Sequence, residues 1–164
     1  MIFGMTTLTF VHVVLSLIAI FSGFIILFGM FGAKRLDGWT ALFLLSTVAT
    51  SVTGFLFPFH RFLPSHAIGI LSLIALAIAI VARYPLRLAG AWSRIYAVTA
   101  VIALYLNVFV LIAQLFQKVP ALKPLAPTQS ELPFLIAQCV ALALFIVLGS
   151  FAAKKFRSEL VHAS

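Results

Sequence analysis

Five stretches of this chain contain no Asp, Glu, Lys or Arg, and each is long enough to cross a lipid bilayer. A helix needs about 20 apolar residues to span about 30 Å of hydrocarbon. The spacing of the charges predicts helices over residues 8–31, 39–57, 65–82, 94–117 and 132–153, the third being the shortest. Strands fit poorly, because the runs are too long and lack period-two alternation. The expected fold class is all-α: a polytopic transmembrane bundle of five helices, forming one domain over residues 1–164.

Composition supports the same solvent. Of 164 residues, 64% are hydrophobic and 9% are charged, whereas a soluble domain carries about 25% charge. A domain this small leaves much of its surface uncovered, so the bilayer must cover the apolar excess. The net charge of +8 would suggest nucleic acid in a soluble protein. Here the basic residues fall in short clusters between apolar runs, where they meet anionic headgroups. No nucleic-acid motif is present. Cys139 is the single cysteine, which excludes an internal disulfide. The first apolar run has no basic residue before it and is longer than the core of a signal peptide, so it is expected to be a retained helix.

Sidedness follows from Lys and Arg. Lys34, Arg35, Arg83, Arg87, Arg94, Lys154, Lys155 and Arg157 fall on one side of the alternating helices, and Arg61, Lys118 and Lys123 on the other. Eight against three makes the first side cytoplasmic. The N-terminus then lies outside and the C-terminus in the cytoplasm. Anionic lipid headgroups are the expected partners of Arg83, Arg87, Arg94, Lys154, Lys155 and Arg157. The connector with Tyr84, Trp92 and Tyr96 is expected to lie at headgroup level.

Polar residues inside hydrocarbon usually face the bundle or a cavity. His12, Ser16, Ala19 and Gly23 share one face of the first helix, and Tyr96, Ala100, Ala103, Asn107 and Gln114 one face of the fourth. Most such stripes serve packing, through close approach and interhelical hydrogen bonds of about 0.6 kcal/mol each. Yet His12, His60, His66, Gln114, Gln117, Glu131 and Gln138 all fall toward the outer side. This predicts an outward-facing polar pocket, rimmed by Phe55, Phe57, Phe59 and Phe62.

Three chemistries could use such a pocket. Haem b could take His12 with His60 or His66 as axial ligands, which needs facing imidazoles at matched depth. A metal site of His60, His66 and Glu131 matches no standard ligand spacing. A quinone, lipid or small polar solute could bind among His12, Asn107, Gln114 and Gln138, since apolar walls with few polar anchors suit such ligands. GxSxG, HExxH, P-loop and GxGxxG motifs are absent. The three acids, Asp37, Glu131 and Glu159, lie outside the predicted spans. The expected role is a non-catalytic membrane component or small-molecule binder with an outward-facing polar pocket, in a homo-oligomer or as an accessory subunit. The alternatives are a small oligomeric channel or transporter, and a b-type haem redox protein.

The segments TSVTGFLFPFHRFLPSHAIGILSL and ALYLNVFVLIAQLFQKVPALKPLAPTQSE, with LDGWTALFL, resemble small integral membrane proteins of proteobacteria, chiefly alphaproteobacteria. The resemblance covers most of the chain. It implies an inner-membrane location and this topology, and it carries over no catalytic residue.

Overall fold

The computed structural model describes residues 7–31, 37–55, 64–85, 91–125 and 131–163. Five helices follow in order: α1 (Thr7–Phe31), α2 (Asp37–Phe55), α3 (Pro64–Arg83), α4 (Trp92–Lys118) and α5 (Leu132–Ala163). A short 3-10 turn, Lys123–Leu125, lies between the last two. Four helices contain stretches long and apolar enough to cross a membrane: Phe10–Phe31, Gly38–Phe55, Trp92–Ala113 and Leu132–Lys155. The apolar part of α3, Ala67–Arg83, is shorter. The protein is a helical membrane bundle.

Local chemistry sets the helix ends. Pro64 opens α3 and Pro133 is the second residue of α5, positions where a missing N–H costs nothing. Pro120 follows α4 and forces the preceding residue out of helical conformation; Val119 is extended, with φ −78° and ψ 119°. Its N–H still reaches the Leu115 carbonyl at 2.9 Å, closing the last turn. Observed and expected boundaries agree within two residues, apart from the end of α5, which runs on to Ala163 rather than stopping at 153. Charged side chains end an apolar span but do not break a helix.

Each helix packs against the next, and α1 also packs against α4 and α5. Side-chain pairs fix the directions. On α1 and α2, His12 meets Thr53 and Phe21 meets Trp39, so the two run antiparallel. Phe116 meets Phe134 and Tyr105 meets Phe145 across α4 and α5, which also run antiparallel. The ends of α1, α3 and α5 and the starts of α2 and α4 therefore share one end of the bundle. That basic end carries Arg83, Arg94, Lys154 and Lys155, and exposed Trp39, Tyr84 and Trp92 ring it.

The exterior is far more apolar than that of a water-soluble protein, and the core around Phe43, Leu27 and Leu76 also encloses small polar residues. Ser22, Thr40 and Thr47 are fully buried, while Leu45 is 70% and Phe21 65% exposed. Lipid tails are as apolar as leucine, so large aliphatic groups gain little by turning inward, and small residues that let backbones approach share the interior with Leu27, Phe43, Leu76 and Leu104. Four buried hydroxyls, those of Ser22, Ser46, Thr50 and Thr99, bond to their own helix four residues back. Ser22 donates to the Ile18 carbonyl at 2.7 Å, Thr50 to Ser46 at 2.7 Å and Thr99 to Ile95 at 2.8 Å. The hydroxyl is thereby satisfied without water.

Gly23 shows how close the approach is. A Cβ there would lie 2.6 Å from Leu104 Cδ1 and 2.9 Å from Phe43 Cε1. Gly23→Val should destabilise the bundle by about 1–3 kcal/mol through overpacking. Gly38→Ala, whose Cβ meets nothing within 4 Å, should change stability by less than about 0.5 kcal/mol. Reversible unfolding in mixed detergent micelles measures both.

Candidate functional site

Four polar contacts in the apolar spans bridge helices. His12 Nδ1 lies 2.8 Å from Thr53 Oγ1, across α1 and α2. The Thr53 hydroxyl donates to the Ala49 carbonyl at 2.8 Å, so its oxygen accepts from the imidazole, which assigns the proton to Nδ1. Asn107 Nδ2 donates to Thr47 Oγ1 at 3.4 Å, joining α4 to α2. Gln138 Nε2 donates to the Phe109 carbonyl at 3.2 Å, joining α5 to α4. Ser51 donates to Ser72 at 3.3 Å, joining α2 to α3.

These pairs do not converge on one pocket. Thr47 and Thr53 are six residues apart on α2, a rise of about 9 Å, so the Asn107 and His12 bonds sit at different depths. Gln138 is tied to another helix pair. It is 7% exposed, and its Oε1 is buried without a hydrogen-bond partner. Phe55, expected on a pocket rim, lies over Gly69, where a Cβ would come within 2.9 Å of its ring. His60, Phe57, Phe59 and Phe62, and the side chains of His66, Gln114 and Gln117, lie outside the described residues. Among the described residues no group of three metal-binding side chains forms.

The basic end holds a cluster that sequence reading missed. Arg83, expected at a lipid headgroup, is 3% exposed. Its guanidinium carbon lies 5.2 Å from the centroid of the Tyr96 ring, within cation–π range. The Tyr96 hydroxyl is hydrogen-bonded by both Arg83 and Thr40. Three helices therefore meet on one phenol: α3 through Arg83, α4 through Tyr96 and α2 through Thr40. Arg83 belongs to the last turn of α3, where a cation also suits the helix dipole. The packed core continues from this cluster through Met30, Leu76, Ala97 and Ala100.

A cavity of about 260 Å³ lies between the Val98–Tyr105 face of α4 and the Leu142–Ser150 face of α5. It is a groove in the lipid-facing surface. Val101 and Phe145 are buried at its floor, and Val98, Ile102, Leu142 and Ile146 are exposed along its walls. Gly149 opens it, since a Cβ there would stand 3.1 Å from Val101 Cγ1. The adjacent small residues Gly149 and Ser150 are the sequence signal for this site.

No family model, curated protein or solved structure matches the chain.

Two measurements test the polar ties. A double-mutant cycle on His12→Leu and Thr53→Val should give a coupling of about 0.6 kcal/mol, the usual size of such bonds in membranes. Tyr96→Phe should cost about 1–3 kcal/mol, because it strips an acceptor from buried donors. That cost should shrink in an Arg83→Met background. Unfolding in mixed micelles reads each value.

Proposed function

We propose that the chain is a non-catalytic component of the bacterial inner membrane, crossing it five times, with its N-terminus outside and its C-terminus cytoplasmic. The observation that carries this reading is the use made of the polar side chains. His12, Asn107 and Gln138 each bond to a neighbouring helix, as expected of residues that hold a bundle together. The filled core around Tyr96 and Ala100 favours a structural component over a pore through a single chain. Topology is supported by the eight-to-three division of basic residues. It is supported also by α3, whose 20 residues rise about 30 Å, the thickness of the hydrocarbon. The resemblance to proteobacterial membrane proteins favours the inner membrane.

Reporter fusions test the sidedness. Alkaline phosphatase joined after Ser164 should be inactive and a fluorescent protein there should glow, with both results reversed for fusions after Leu125. Active phosphatase after Ser164 would overturn the topology. Protein purified from haem-supplemented cells should be colourless. A Soret band that disappears in His12→Ala would make the chain a haem protein instead.

A further inference from the structure

From the groove between α4 and α5 we infer that the protein holds one anionic phospholipid, an acyl chain in the groove and its phosphate between Arg94 and Lys154. This goes beyond the membrane-component reading and does not require the five-crossing topology.

The register of the two helices places the charges. Val101 stands against Gly149, Tyr105 against Phe145 and Phe116 against Phe134. Each step toward the start of α4 is thus matched by a step toward the end of α5. Continuing this register carries Arg94 to the level of Lys154 and Lys155. Arg94 and Val98 are one turn apart on α4, as are Ser150 and Lys154 on α5, so each cation adjoins the groove's own helix face. Arg94 and Lys154 are both exposed. They lie about 6 Å beyond the groove along the helix axes. Exposed Trp92 and Tyr84 mark the same end, where amphipathic rings sit at headgroup level.

Shape selects a single chain over a helix. The slot of about 260 Å³ is walled by bulky Val98, Ile102 and Ile146, and only Gly149 and Ser150 are small. A second helix, about 10 Å across with its side chains, would not enter it; a flexible hydrocarbon tail does. Charge then selects the headgroup. Two cations at the mouth favour a net-negative lipid over a zwitterionic one.

The test uses the full chain in mild detergent and native mass spectrometry, with phosphatidylglycerol and phosphatidylcholine of identical acyl chains as probes. One phosphatidylglycerol should be retained per chain, at lower lipid concentration than phosphatidylcholine. Arg94→Gln and Lys154→Gln should each weaken phosphatidylglycerol retention about fivefold and leave phosphatidylcholine unchanged. Ser150→Phe, which fills the slot from an exposed position, should remove retention of both lipids. If that variant does not fold, Leu142→Trp fills the slot from its other end. Equal retention of the two lipids, indifference to both charge substitutions, or undiminished binding in a folded slot-filling variant would overturn the proposal. So would a dimer that excludes lipid and is disrupted by Ser150→Phe.

Discussion

Backbone amides inside hydrocarbon have no water to bond, so each must be satisfied by its own segment. That condition makes every apolar run of this chain a helix and leaves the side chains to decide how the helices associate. Because lipid competes on equal terms for leucine and phenylalanine, association draws on close approach and interhelical bonds. Gly23 supplies the first, seated against Phe43 and Leu104. His12, Asn107, Ser51 and Gln138 supply the second.

The two ends of the bundle use different chemistry. At the basic end a guanidinium, a phenol and a hydroxyl from three helices form one buried cluster. Toward the other end, polar contacts are isolated pairs, and a small aromatic cluster of Phe116 and Phe134 joins α4 to α5. A buried cation is costly in a membrane interior. Arg83 is tolerated because it sits in the final turn of its helix and over an aromatic face.

Depth was legible in the sequence, and direction around the helix axis was not. Charge-free runs and proline positions located the helices to within two residues at nearly every end. The contact of His12 with Thr53 lay beyond that reading. Counting along the helices placed His12 and Gln138 toward one side without revealing that His12 faces α2 and Gln138 faces α4. The helical wheel alone cannot say which partner a stripe meets, because α5 is apolar almost all the way round. The burial of Arg83 was hidden for a related reason. A charge ending an apolar run looks like a loop residue until the packing of α3 on α4 brings Tyr96 to it. The end of α5 was misread because hydropathy stops at Lys154 while helix propensity does not.

The apolar exterior also bears on engineering. A common route to a water-soluble analogue repaints the outer leucines, valines and phenylalanines with glutamate and lysine and keeps the interior. In water, folding draws chiefly on apolar area removed from solvent. Here the interior is rich in alanine, serine and threonine, with Thr40, Thr47, Ala79 and Ala97 fully enclosed. Repainting the exterior would leave Phe43, Leu27, Leu76 and Leu104 as the enclosed oil, diluted by these small and polar residues, so a soluble version of this bundle gains from a more apolar core as well as a new coat.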